Sequence, residues 1–240
     1  MINNLCGKAF TALYSVPYNA SMVMQIVITS INASFIPWTY QKCKSKEYGQ
    51  LNKFSSILLI MVMAITLLPS LFAPELVWLL GSDKYSASMW VVPPVSCSVF
   101  FMFLYSLFSN VELYYEKSKN IMLASTSAAV GNLILNYIFI QMFGYVAAAY
   151  TTLFCYIFLA VAHYLFMKTI CKEQGITEPL YNMRLIVVIS VFLVVYSVGV
   201  TVLFDKPRWI RYGMVGIILL ALFLKKEMLL ENLSMLKRKK

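Results

Sequence analysis

A few side chains carry hydrogen-bonding or proton-transfer chemistry through stretches that are otherwise apolar. In "AAVGNLILNYIFIQMFGYVAAAYTTL", residues 128–153, Asn132 and Asn136 stand one helical turn apart. In the first apolar stretch Gln25, Thr29 and Asn32 follow at i, i+4 and i+7, again one helix face. Glu112 and His163 each fall near the end of an apolar run. A helix satisfies its own backbone inside hydrocarbon, but a side-chain amide or carboxylate must find a partner elsewhere. Amides on a helix face therefore point to hydrogen bonds across a helix pair, or to a polar cavity between helices. Stepping back by fours from Asn132 reaches Ala128 and Ala124, with Gly131 and Ser127 beside them. Such a stripe of small residues lets a neighbouring helix approach closely. The following "YVAAAYTT" supplies a second small, hydroxylated stripe, and Gly144 marks the turn between the two. On periodicity, interhelical bonding is favoured over a cavity for the Asn pair. Glu112 reads first as a headgroup-level residue beside Lys117 and Lys119, and second as a proton or substrate handle. His163 reads as a packing residue, since no carboxylate is evident near it in the sequence.

The elements that position these groups are set by hydropathy. The 240-residue chain is 60% hydrophobic and 12% charged, with a mean hydropathy of +0.74. That composition belongs to a membrane protein. Seven stretches approach the roughly 20 apolar residues that a bilayer core requires: 14–36, 54–72, 89–111, 121–141, 145–167, 185–204 and 209–224. Pro17 argues that the first starts near Tyr18, and the last is short. Pro93-Pro94 lies near the start of the third, where missing N–H groups cost little. The N-terminal "MINNLCGKAF" has no basic segment leading into an apolar run, so no signal peptide is expected.

Basic residues orient the chain. With the N-terminus outside, one set of loops holds Lys42, Lys44, Lys46 and Lys53, then Lys117 and Lys119, then Lys168, Lys172 and Arg184, then Lys225, Lys226 and the tail "LKRKK". The other side holds only Lys8, Lys84, Lys206, Arg208 and Arg211. The positive-inside bias places the N-terminus out and the C-terminus in. Trp38, Tyr40, Trp78, Trp90, Tyr114, Tyr115, Trp209 and Tyr212 fall where interfaces are expected. The five cysteines, Cys6, Cys43, Cys97, Cys155 and Cys171, are scattered and read as free thiols. No metal-ligand spacing, catalytic triad or cofactor motif is present, so neither enzyme nor cofactor is expected. The last stretch, "WIRYGMVGIILLALFL", has no interior lysine for a retinal Schiff base.

Several segments carry a family resemblance. "FIPWTYQKCKSKEYGQLNKF" resembles the cytosolic connection of polysaccharide flippases, the Wzx-type oligosaccharide-lipid translocases of the MOP superfamily, which also holds the MATE drug exporters. "FAPELVWLLGSDKY" and "NVELYYEKSK" resemble later segments of the same proteins, in order. "NLILNYIFIQMFGYVAAAYTTLFCYIFLAVAHY" resembles their most recognisable helical hairpin, and "ALYSVPYNASM" the start of a span. The likeness covers most of residues 10–170. It implies an all-α integral membrane protein of about seven transmembrane helices, like the C-terminal lobe of a MATE-like flippase. Residues 1–170 then form the C-lobe-like bundle, lacking the lobe's first helix. Residues 171–240 form a trailing helix pair with a basic cytosolic tail. The implied location is the bacterial cytoplasmic (inner) membrane. The implied activity is flipping of an undecaprenyl-diphosphate-linked oligosaccharide, with membrane lipid and a separately encoded or lost N-terminal lobe as the other partners. Gln25, Asn32, Asn132 and Asn136 are the candidate substrate-binding residues. The alternatives are a non-transporting fragment or accessory membrane protein, and a MATE-like drug-exporter half. The last should carry a mid-span carboxylate, and none is seen.

Overall fold

The computed structural model describes residues 1–224. A single turn, α1 (Ile2–Leu5), precedes the long α2 (Lys8–Ser45) and α3 (Tyr48–Leu71). A short α4 (Ala73–Gly81) and a 3₁₀ stretch (Asp83–Val91) lead into α5 (Val92–Tyr114). Then come α6 (Ser118–Phe143), α7 (Ala147–Glu173), α8 (Met183–Gly199) with a 3₁₀ extension to Leu203, and α9 (Arg208–Leu224). No strand occurs among the described residues.

Among the described residues, six helical stretches are long and apolar enough to cross a membrane: Lys8–Ser45, Tyr48–Leu71, Asp83–Tyr114, Ser118–Phe143, Ala147–Glu173 and Met183–Leu203. The chain is a multi-pass, all-α membrane protein. Its exterior agrees with that. Leu133, Ile134 and Tyr137 on α6, Phe154, Phe158 and Val161 on α7, and Val187, Val188 and Val191 on α8 are all exposed. Water tolerates such contiguous apolar faces poorly, whereas lipid does not penalise them. In the seventh stretch the described residues form α9, Arg208–Leu224. The basic tail "LKRKK", Lys225 and Lys226 lie outside the described residues.

The helix that carries the first span starts earlier than the proline suggested. α2 runs 38 residues from Lys8 through both Pro17 and Pro37. Each proline removes one backbone donor, but a helix held by neighbours on its other turns tolerates that loss in a membrane. The Ser21 hydroxyl also donates to the Pro17 carbonyl at 3.0 Å. At 1.5 Å per residue α2 is about 57 Å long, far beyond the ~30 Å of hydrocarbon. Its basic C-terminal end, with Lys42 and Lys44 in the last turn, must therefore project from the membrane.

α5 is the central helix, with 19 of its 23 residues buried, including Pro93 and Pro94 in its first turn. It packs on α7 most extensively, then on α2, α3 and α8. Phe100, Phe103, Leu107 and Phe108 fill the core with Leu51, Leu58 and Leu59 of α3 and Ile28 and Phe35 of α2. The hairpin between α6 and α7 turns at Gly144, whose φ of +74° disfavours a side chain. Asn182 starts α8 by accepting a hydrogen bond from the Leu185 amide at 3.1 Å. The aromatic residues expected at interfaces cluster near helix ends. Trp38 packs on Phe35 and Phe54, Tyr40 on Tyr114, and Trp90 on Phe204. All five cysteines are free thiols.

Candidate functional site

α2, α6 and α7 line a cleft of about 670 Å³, to which α1 and Tyr105 of α5 also contribute. Its polar lining is made of tyrosines, amides and hydroxyls: Tyr14, Tyr18, Tyr105 and Tyr156, Asn3, Asn132 and Asn136, Thr11, Ser125 and Thr152. The rest of the wall is Met1, Ile2, Ile140, Cys155 and Leu159 with the small residues Ala128, Ala129 and Ala148.

The two asparagines build one side of this cleft. Asn136 donates through Nδ2 to Asn132 Oδ1 at 2.8 Å, along one face of α6. The Thr151 hydroxyl of α7 donates to Asn136 Oδ1 at 2.5 Å. Asn132 Nδ2 approaches Cys155 Sγ of α7 at 3.6 Å. The pair therefore bonds across the hairpin and also faces the cleft, so the two readings of the sequence describe one arrangement. Ala124 and Ala128 are buried as the small stripe requires, whereas Ser127 is exposed and Gly131 meets no neighbour. Asn136→Leu should lower stability by about 0.6–2 kcal/mol, the usual worth of an interhelical amide bond in a membrane. Thermal unfolding in detergent checks this. A variant as stable as the parent would remove the Asn pair from the hairpin's cohesion.

Gln25 and Asn32 sit elsewhere. Gln25 lies in a recess of about 20 Å³, next to the cleft and sharing Tyr18, Thr152 and Tyr156 with it. Asn32 accepts from Asn110 Nδ2 of α5 at 2.9 Å and does not line the cleft. Thr29, expected on the same face, is exposed and bonds back to the Gln25 and Ile26 carbonyls. The three residues thus divide between a recess, a helix contact and the outer surface.

Glu112 and His163 meet, which neither sequence reading foresaw. The Glu112 side chain turns into the bundle rather than toward Lys117 and Lys119. It is fully buried and lies 2.7 Å from His163 Nδ1, and His163 is equally buried. His163 therefore has a carboxylate against it, which chain order could not reveal. α5 and α7 run parallel, because α6 reverses the chain between them, so residues of like depth meet although 51 positions apart. The pair stands behind the cleft. Tyr105 stacks on His163 at 5.5 Å and on Tyr156 at 6.2 Å, and both tyrosines line the cleft.

An Arg–Glu ion pair joins α4 to α9. Arg211 of α9 is buried and donates both terminal nitrogens to Glu75 of α4 at 2.8 Å, with a further bond to the Leu71 carbonyl at 2.9 Å. The Tyr212 hydroxyl donates to Glu75 at 3.0 Å. Burial alone would raise the Glu75 carboxyl pKa. The hydrogen bonds from Arg211, from its own backbone and from Tyr212, with the Arg211 charge, outweigh burial and hold it below the usual 4.5. Sequence reading took Arg211 only as a loop charge. Its position one turn into α9 was the available signal.

Comparison with protein-family models, with curated proteins and with solved structures finds no match to this chain.

Proposed function

We propose that the chain forms one wall of the translocation path of a lipid-linked-oligosaccharide flippase in a bacterial cytoplasmic membrane. The observation that carries this reading is the cleft: a pocket of tyrosine rings, amides and hydroxyls set into a membrane bundle. Such a lining suits an uncharged, hydroxyl-rich saccharide. Rings pack on sugar faces, and amides donate and accept at once. An organic cation would instead favour a carboxylate, and the cleft-lining residues include none. The resemblance of residues 10–170 to such flippases supports the same reading.

The job requires no covalent chemistry. A saccharide diphosphate headgroup cannot enter bare hydrocarbon, where desolvating its charge costs on the order of tens of kcal/mol. A wet cleft between two lobes removes most of that cost while the polyprenyl tail stays in lipid, and rocking of the lobes exposes the path to alternate faces. This chain supplies the saccharide-facing wall, and a second lobe supplies the cations for the diphosphate. With the N-terminus out, the Glu112 end faces the cytosol and the Glu75–Arg211 end the outer surface.

Photocrosslinking tests the reading. A photoreactive amino acid at Tyr18, in cells making a radiolabelled lipid-linked oligosaccharide, should capture that glycolipid. The same group at Leu133, exposed on the outer face of α6, should not. Capture at neither site, or equal capture at both, would overturn the proposal and favour an accessory membrane protein.

A further inference from the structure

The cleft leaves one feature of the bundle unused. Glu112 and His163 are each fully buried and bonded through Oε1 and Nδ1 at 2.7 Å. The second atom of each group, Glu112 Oε2 and His163 Nε2, has no hydrogen-bond partner among the described residues. Buried polar atoms are nearly always paired, and exceptions call for a reason. The pair also sits within a core of apolar and aromatic side chains, where a net charge is costly.

Proton bookkeeping supplies the reason. In low dielectric the least costly state of the pair is net neutral, with one proton more than a carboxylate beside a neutral imidazole. That proton rests on Oε1 or on Nδ1. In either arrangement His163 carries an N–H at Nε2 that meets no acceptor. We infer that the Glu112–His163 pair is a proton-binding site, with the Nε2 proton as the one exchanged. On release the Nε2–H bond breaks, its electron pair stays on the ring nitrogen and the proton passes to water. The proton that remains sits on Nδ1 and donates to Oε1, and the pair carries one negative charge. Uptake reverses each step.

The stack His163–Tyr105–Tyr156 joins this site to the cleft, because both tyrosines line it. Other titratable groups at this end of the packed helices are Tyr40, Lys42 and Cys43 on α2, Tyr48 on α3, Tyr114 on α5 itself with Tyr115, Glu116 and Lys117 after it, Lys119 on α6, Tyr164, Lys168, Cys171, Lys172 and Glu173 on α7, Tyr181 before α8 and Arg184 at its start. Lys42 pairs with Glu47 and Lys117 with Glu173, while Lys119, Lys168 and Lys172 are exposed. The Tyr181 hydroxyl donates to the Leu107 carbonyl at 2.8 Å.

The chain has a single histidine, so one labelled residue reports on the site. The full chain, carrying an affinity tag without histidine and labelled with ¹⁵N-histidine, would be placed in lipid nanodiscs for solid-state NMR. Both imidazole nitrogens should change their shifts across a pH series, as they must if the pair exchanges its proton. Glu112→Gln, which keeps the shape and removes the charge, should flatten that response. Shifts that stay constant over the whole range in the parent protein would overturn the proposal and leave the pair as a sealed structural contact. An unchanged titration in folded Glu112→Gln would remove Glu112 from the site. The parent titration decides the matter even where the variant fails to fold. It reads the chain's own histidine and is independent of what the cleft carries.

Discussion

His163→Leu is expected to destabilise the bundle by about 1–3 kcal/mol, the cost of leaving a buried polar group without its hydrogen-bond partner. Glu112 has no exposure through which water could replace the imidazole. Its second oxygen is already unpartnered among the described residues, so no other donor stands ready. Glu112→Leu should cost a similar amount, though less if His163 remains neutral. The double variant Glu112→Met/His163→Phe is the informative member of the cycle. Well-packed apolar replacements of a buried ion pair are often neutral or stabilising, and the surroundings here are Tyr105 and Phe166. The double variant should therefore regain most of the lost stability while losing the pH response of the site. Unfolding followed by gel filtration in detergent measures all four proteins. Additive losses in the double variant would show that the two residues act independently, against the geometry.

Arg211→Met should release α9 at the other end of the molecule, at a cost of about 1.5–3 kcal/mol, the worth of hydrogen bonds to a charged group. Water offsets part of that cost, because the Glu75 side chain is 30% exposed. Among the described residues α9 also rests on a small cluster of Leu71, Val200 and Val215, and Tyr212 packs on Phe72. The effect should be local, seen as faster amide exchange in Arg208–Leu224 with the α5 core unchanged. Acid should act in the same place. Glu75 has its pKa lowered in the fold from the usual 4.5. Its contribution is therefore complete above about pH 4.5 and is lost as pH falls through the lower folded value. After correction for intrinsic exchange rates, α9 should hold constant protection from neutrality down to that range and open below it. Glu75→Gln should remove the acid dependence. Protection that declines already between pH 7 and pH 5 would assign the anchor to another group.

The elements and the site differ in how far they could be read from the chain. Long apolar runs declare themselves because a helix in lipid satisfies its own backbone, so each span is a local property of some twenty residues. The Phe143-Gly144 break was visible for the same reason: a positive-φ position favours glycine wherever the chain goes next. The start of the helix that carries the first span was misplaced because a proline's local cost was weighed without the neighbours that offset it. Asn132 and Asn136 were legible as a polar face, since i and i+4 share one side of a helix. Their partners Thr151 and Cys155 followed from the hairpin only in outline.

Sequence by itself thus determined the class of this protein, an all-α multi-pass membrane chain, together with its main spans and the polar stripe on α6. Only the tertiary structure decided that Asn32 meets Asn110, that four tyrosines converge on one cleft, and that Arg211 reaches Glu75. It alone brought Glu112 against His163. The physical reason is separation. Hydropathy and helical period act between near neighbours in the chain, whereas these contacts join residues 51 to 136 positions apart. Which parallel helices lie side by side, and at what depth, is set by the packing of the whole bundle around α5.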